Sequence, residues 1–194
     1  MTDKPILFSG PMIRALLDGR KTQTRRVMKP PYGTLEYLPD GTWRPICTKF
    51  FPGDRLWVKE THCFCGQMNS IKSSDLSKLE PVGYLADGNI REASCSMISR
   101  GRTRPSIYMP RWASRLTLTV TDVRVQRVQE ITQEDVAAEG WRGFQHDGGP
   151  LTWFHTLWDS LNEARGFGWN ANPWVIALTF DVHRCNIDQM EASR

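Results

Sequence analysis

The chain contains no uninterrupted apolar run of the roughly 20 residues that cross a lipid bilayer. Its first residues, MTDKPILFSGP, include only a short apolar patch, which Ser9, Gly10 and Pro11 interrupt, so the apolar core of a secretory signal is also missing. These two absences argue against a membrane role and against export. We therefore expect a protein that works in the cytoplasm.

The sequence also lacks the cysteine pattern of a disulfide framework. Its five cysteines are an odd number at irregular spacings, so we expect free thiols. The segment HCFCG brings His62 close to Cys63 and Cys65, but C-x-C is not the C-x-x-C of zinc sites, and no second ligand pair follows it. We expect no metal and no other cofactor, and the sequence indicates no obligate protein partner.

No internal repeat or low-complexity segment divides the chain. At 194 residues it is long enough for one well-packed core. The stretch 63–104 has mixed polarity and no sustained period. We therefore predict a single domain over residues 1–194 with an insertion at about 63–104.

The formal charge of +4 is modest but unevenly distributed. Basic residues crowd three segments, GRKTQTRRVMK, SRGRTRP and PRWASR. Such clusters suit a polyanion, for example RNA or the phosphate of a nucleotide. A solvated basic face explains the same pattern equally well.

Several segments carry clear secondary-structure signals. A short helix should follow Pro11 and stop at Gly19, and a second should run from a cap at Thr132 to Glu139. Strands are predicted for FPGDRLWVKETH, RLTLTVTDVRVQRV and NPWVIALTFDV, the second with a bulge near residues 121–122. Long strands separated by short helices predict an α+β fold around a small curved sheet or β-barrel.

The segment LLDGRKTQTRR places a lysine three residues before a threonine. Lys21 could act as a base if burial or the charges of Arg25 and Arg26 lowered its pKa, and Thr24 could then become a nucleophile. An exposed loop, in which Lys21 and Arg26 contact phosphate, is the simpler alternative. Spacing alone favours the simpler one.

Two glutamates are further candidates. Acidic side chains are mildly disfavoured at a helix C-terminus, so Glu139 implies a nearby cation or a surface position. Glu60 ends a strand before a loop, where functional side chains are often displayed, and an ion pair with a basic cluster is its structural alternative.

Aromatic and basic residues alternate in PSIYMPRWASR and in GWNANPW. Tryptophan or tyrosine beside arginine can stack on a nucleobase and hold its phosphate, although most tryptophans are explained by core packing. We expect Arg111 and Arg115 to face a ligand.

The order of these segments resembles the ASCH domain family, a branch of the PUA-like fold, and in particular a phage and prophage subgroup. The resemblance rests on ILFSGPMIRALLDGRKTQTRR, PGDRLWVKET, SRLTLTVTDVRVQRVQEITQEDVAAEG and NPWVIALTFDV, together with PSIYMPRWASR and LWDSLN. It covers most of the chain outside the insertion. It implies a small curved barrel with short flanking helices.

Small members of that family hydrolyse cytidine acetylated on its exocyclic amine, which implies an amidohydrolase activity here. The resemblance makes Lys21, Thr24 and Glu139 the catalytic residues, with Lys21 activating the Thr24 hydroxyl. Arg26 matches the arginine of the motif and is expected to bind substrate, with Glu60, Arg111 and Arg115.

This chain is longer than those amidohydrolases and carries additional segments, so its substrate is expected to be a modified nucleoside or RNA. PUA-like domains in general bind RNA, and other relatives resemble RNA-cleaving proteins. The alternative function is therefore an RNA or single-stranded nucleic acid binding module, with or without ribonuclease activity.

Overall fold

The computed structural model describes residues 2–47, 49–143 and 148–190. In chain order the elements are β1 (Asp3–Leu7), α1 (Gly10–Leu17), β2 (Gln23–Val27), β3 (Leu35–Tyr37), β4 (Trp43–Pro45), β5 (Arg55–Lys59), β6 (His62–Cys63), β7 (Val82–Tyr84), β8 (Ile90–Arg91), β9 (Thr117–Arg127), α2 (Gln133–Ala138), α3 (Pro150–Asn162) and β10 (Trp174–His183). Among these residues no helix has both the length and the apolar character needed to cross a membrane.

The predicted α+β class is confirmed, because strands predominate and few helices accompany them. The barrel is not observed: within the described ranges the sheets are not closed. Among the described strands, β1 beside β5 and β2 beside β10 stand at the two ends of the five-stranded sheet. The bulge near residues 121–122 remains a prediction.

The chain divides into two compact units, and β9 and β10 contribute residues to both. Unit one contains described residues within 1–18, 54–119 and 182–194, and unit two those within 19–53 and 120–181. The single-domain organisation remains a prediction. The predicted insertion at 63–104 lies wholly within unit one.

In unit one, β1 pairs in parallel with β5, and β5 pairs antiparallel with the start of β9. The insertion is more regular than its sequence suggested, because β6, β7 and β8 form an antiparallel sheet. A core of six buried residues supports this unit, namely Phe64, Leu76, Val82, Tyr84, Met109 and Ala113.

In unit two, β2 pairs antiparallel with β10, from Gln23 opposite Thr179 to Val27 opposite Val175. β3 and β4 form an antiparallel hairpin, in which Leu35 lies opposite Pro45 and Tyr37 lies opposite Trp43. The core here combines side chains from α2, α3, β10 and the segment between β9 and α2. Its buried residues are Val128, Ile131, Val136, Phe154, Trp158 and Val175.

The short helices form as predicted. Pro11 lies in the first turn of α1, and Gly19 has a φ of 73°, a conformation that favours glycine. In α2 the Thr132 hydroxyl accepts from the Asp135 amide at 3.2 Å. The Asp135 carboxylate also accepts from the Thr132 amide, which completes a capping box. The five cysteines are free thiols, as expected.

Candidate functional site

Lys21 and Glu139, which are 118 positions apart in sequence, meet inside unit two. Lys21 Nζ donates to Glu139 Oε2 at 2.6 Å and to the Glu139 carbonyl oxygen at 2.9 Å. The Lys21 side chain is fully buried, and that of Glu139 is nearly so. The exposed-loop interpretation of Lys21 is therefore wrong.

Backbone structure fixes this pair from both sides. Glu139 caps the C-terminus of α2 directly after Ala138, and Gly140, with a φ of 104°, turns the chain away immediately after it. The Thr22 amide donates to the Ala138 carbonyl at 2.8 Å, and Arg20 donates to the Gly140 carbonyl at 2.6 Å. The end of the helix is thus tied to the segment that carries the lysine.

Arg25 completes the cluster, although we did not predict it as a site residue. Its guanidinium donates to Glu139 Oε1 at 3.2 Å and to Asp135 Oδ2 at 2.6 Å. Arg124 donates to the other Asp135 oxygen at 2.9 Å. The capping position of Asp135 was visible in the sequence, but its pairing with Arg25 was not, because that contact joins residues 110 positions apart.

Thr24 and Arg26 alternate with Arg25 along β2, so their side chains project from the opposite face of the strand. Thr24 is buried and lies opposite Leu178 of β10. Arg26 is partly buried. Burial lowers the pKa of Arg26, and the charge of Glu139 opposes that effect.

Burial also lowers the pKa of Lys21. The charge of Glu139 and its hydrogen bond oppose this shift, whereas the positive charges of Arg26 and Arg25 reinforce it. Three cationic side chains therefore surround a carboxylate in a buried setting. A lysine that gives up its proton more readily, close to a carboxylate, is suited to proton transfer.

Glu60 and Arg115 form a separate cluster in unit one. Arg115 donates two hydrogen bonds to the Glu60 carboxylate, of 2.8 and 2.9 Å. It also donates to both carboxylate oxygens of Asp87. Its guanidinium lies 4.0 Å from the centre of the Tyr84 ring. Burial raises the pKa of Glu60, while Arg115 opposes that shift. The structural alternative for Glu60, an ion pair, is therefore present.

Arg111 is engaged in the same unit by two carboxylates. Its Nε donates to Asp188 at 2.8 Å, and its terminal nitrogen donates to Asp3 at 2.5 Å. Arg111 and Arg115 thus both hold carboxylates of this chain. A ligand-binding role for Glu60, Arg111 and Arg115 remains a prediction.

The HCFCG segment is part of the fold of unit one. His62 is fully buried, its Nδ1 lies 3.1 Å from the Glu60 carbonyl oxygen, and burial lowers its pKa to about 4. Within the described ranges, no group of three or more histidine, cysteine or acidic side chains could hold a metal ion.

The geometry therefore separates the predicted site residues into two groups. Unit two brings together Lys21 and Glu139, with the charge of Arg26 acting on both and Thr24 buried in the adjacent strand. Unit one holds Glu60, Arg111 and Arg115 in ion pairs.

No known family model, curated protein or solved structure matches the chain.

Proposed function

We propose that the chain is an amidohydrolase that removes an acyl group from the exocyclic amine of a cytosine nucleoside or a related modified base. The observation that supports it is the buried Lys21 Nζ, 2.6 Å from Glu139, with a buried threonine three residues later. The proposal includes an ASCH-type, PUA-like fold, as the sequence resemblance implies. It also includes the cytoplasmic location expected from the composition of the chain.

In this proposal Lys21 acts in its neutral form, which its burial favours. The amine accepts the proton of the Thr24 hydroxyl as Oγ attacks the acyl carbonyl carbon. A tetrahedral oxyanion forms, and its collapse breaks the C–N bond to the exocyclic amine. The acyl group is then on Thr24 as an ester, which water hydrolyses to return the free hydroxyl.

The remaining residues handle charge and protons. Glu139, hydrogen-bonded to Lys21, relays a proton from the lysine to the departing amine. Arg26 supplies positive charge to the developing oxyanion. Arg25 positions Glu139, because it donates to the carboxylate oxygen that Lys21 does not use.

The test measures the conversion of N4-acetylcytidine to cytidine by chromatography. We expect Lys21→Met and Thr24→Val each to lower kcat/KM by about 100-fold or more, because each removes a group that acts in proton transfer or attack. Thr22→Val is the matched control, since Thr22 is exposed and contributes to the fold through its backbone. It should retain activity within about twofold.

Full activity in Lys21→Met, with the fold verified by circular dichroism, would overturn the proposal. An acyl group found by mass spectrometry on the peptide containing Thr24, and missing in Thr24→Val, would support the covalent step independently of rate. No turnover by the wild-type protein, alongside an active control amidase, would reject this substrate.

RNA or single-stranded nucleic acid binding, with or without ribonuclease activity, is the second candidate. The exposed arginines of the SRGRTRP segment, Arg100 and Arg102, favour it. Binding that depends on phosphate contacts weakens steeply with salt, so affinity for a single-stranded oligonucleotide should fall as salt is raised. No binding even at low salt would exclude it.

A further inference from the structure

Unit one contains a cavity of about 710 Å³, and the described residues that line it carry positive charge and include no carboxylate. Its cationic side chains are Lys59, Lys72, Arg102 and Arg104. Three hydroxyl residues, Ser73, Ser74 and Thr103, also line it. Cations together with hydroxyl donors, and no acidic side chain, are the composition expected of an oxyanion site.

Arg104 is the residue that sets this cavity apart. It is 95% buried, with a relative exposure of 5%, and no described carboxylate pairs with it. Its terminal nitrogens donate to Ser73 Oγ at 3.1 Å and to the Met68 carbonyl at 2.7 Å, both uncharged acceptors. Its Nε is buried without a hydrogen-bond partner in the described part of the chain.

The backbone holds Arg104 in place. Its amide and carbonyl exchange hydrogen bonds of 2.8 and 3.1 Å with His62, and its guanidinium lies 5.3 Å from the centre of the Phe64 ring. Buried charges in proteins are normally paired, because a charge removed from water without a partner destabilises the fold. A fixed guanidinium with only neutral partners is therefore suited to receive an anionic group from outside the chain.

The lining also contains apolar and aromatic residues. Ile107 and Tyr108 are 59% and 64% exposed, and Pro110 lies beside them in the cavity wall. Lys59 is directed to this wall, where its amine donates to the Ile107 carbonyl. An exposed tyrosine next to cationic side chains can stack on a planar ring whose phosphate the cations hold.

We propose that this cavity binds a phosphorylated ligand with a planar organic group, namely a nucleotide unit. Arg104 and Arg102 hold the phosphate, Lys72 contributes charge at the rim, and Tyr108 covers the base. A free mononucleotide and the phosphorylated end of a single strand present the same chemistry. The residues of this cavity belong to unit one, whereas the residues given roles in the amidohydrolase reaction above belong to unit two, so the proposal goes beyond that function.

The test measures binding by isothermal titration calorimetry to the full chain at low salt. The probes are inorganic phosphate, cytidine monophosphate, cytidine, and a short single-stranded oligonucleotide with or without a 5′-phosphate. We expect cytidine monophosphate to bind at least tenfold more tightly than phosphate or cytidine. Tighter binding of the 5′-phosphorylated oligonucleotide than of the mononucleotide would assign the site to strand ends, and the reverse order to free nucleotides.

Because Arg104 is buried, Arg104→Gln could prevent folding, so the test uses substitutions of exposed residues. Arg102→Gln combined with Lys72→Gln should weaken cytidine monophosphate binding at least tenfold, and Tyr108→Ala should weaken it while leaving phosphate binding unchanged. Lys78→Gln is the matched control, because Lys78 is an exposed lysine in the same segment that does not line the cavity. It should change affinity less than twofold.

Three results would overturn the proposal. One is no binding of any phosphorylated probe by the wild-type protein. Another is equal affinity in the Arg102 and Lys72 variant and in the Lys78 control. The third is equal binding of phosphate and cytidine monophosphate, which would remove the role of the aromatic wall. Because cytidine is also the product of the proposed amidase, binding is assigned to this cavity by the difference between the Arg102 and Lys72 variant and the Lys78 control. That difference can be measured whether or not the protein has amidase activity.

Discussion

At the scale of single residues, the burial of the Lys21 amine makes the stability of the protein depend on the Glu139 carboxylate. An ammonium group removed from water requires a hydrogen-bonded counter-charge, and Glu139 supplies it at 2.6 Å. Arg25 and Arg26 add positive charge to the same volume. Loss of the carboxylate would therefore leave several cations facing one another.

We expect Glu139→Gln to destabilise the protein by about 3–5 kcal/mol, the usual cost of breaking a buried ion pair from one side. Urea unfolding at neutral pH measures it. Glu134→Gln is the control, because it makes the same change at an exposed position of α2 and should change the free energy of unfolding far less. Equal destabilisation by both changes would contradict the role assigned to the pair.

The lowered pKa of Lys21 predicts a rise in stability with pH. The unfolded chain retains this proton up to the ordinary value near 10.5, whereas the folded chain releases it at lower pH. The unfolded state therefore binds more protons between the two values, and the free energy of unfolding rises with pH across that interval.

Unfolding measured at several pH values below 10.5 should show this rise in the wild-type protein and a smaller rise in Lys21→Met. Lys78→Met removes an exposed lysine and should keep the wild-type slope. Identical slopes in wild type and Lys21→Met would show that the lysine stays protonated in the folded protein.

At the scale of elements, α2 is a short helix with two tasks. Its first turn is closed by the reciprocal cap of Thr132 and Asp135, and Glu139, the capping residue after its last turn, binds Lys21. Asp135 also binds Arg25 and Arg124. Although burial opposes it, these two arginines hold the pKa of Asp135 below its usual range. The helix cap and the buried charge cluster therefore share one carboxylate.

Thr132→Ala should cost about 1 kcal/mol, because the Asp135 amide loses its acceptor. It should also increase hydrogen exchange at the Glu139 amide, whose bond to the Asp135 carbonyl depends on the helix. Thr156→Ala, an exposed change within α3, is the control and should not alter exchange at Glu139. Unchanged exchange in Thr132→Ala would show that the cap is independent of the site.

The local elements were predictable because their signals are local. Pro11 and Gly19 bound α1, and the cap at Thr132 begins α2. Alternation marks β5 and β9, and an apolar run marks β10. The partner of Arg25 was not predictable, because strand alternation gives the face of a side chain but not the element that covers it. The order within the insertion was missed for a similar reason: β6, β7 and β8 are two or three residues long, too short to show a period.

At the scale of the whole molecule, the loss of stability in mild acid should depend on one buried histidine in unit one. His62 is fully enclosed, and burial together with the charges of Arg104 and Lys59 lowers its pKa to about 4. The unfolded chain takes up this proton near pH 6.5 and the folded chain does not. Stability is therefore complete above 6.5 and falls as pH decreases from there to about 4.

The expected loss across that interval is about 3 kcal/mol, from about 1.4 kcal/mol for each pKa unit. Urea unfolding from neutral pH to pH 4 measures it, and His62→Gln should flatten this part of the profile. His155→Gln removes a histidine whose side chain is 42% exposed, and it should leave the profile as in the wild type. A wild-type profile in His62→Gln would contradict the assignment.

The long separation between Lys21 and Glu139 has a consequence for the order of events during synthesis. A ribosome releases the lysine and its neighbouring arginines while more than a hundred residues, and with them Glu139, remain to be translated. Until then these cations lack the carboxylate that pairs with them in the folded protein. We therefore expect β2 to stay hydrated in the nascent chain. The candidate site is therefore assembled late, and a chain truncated before residue 139 should emerge with its first basic segment accessible to proteases and polyanions.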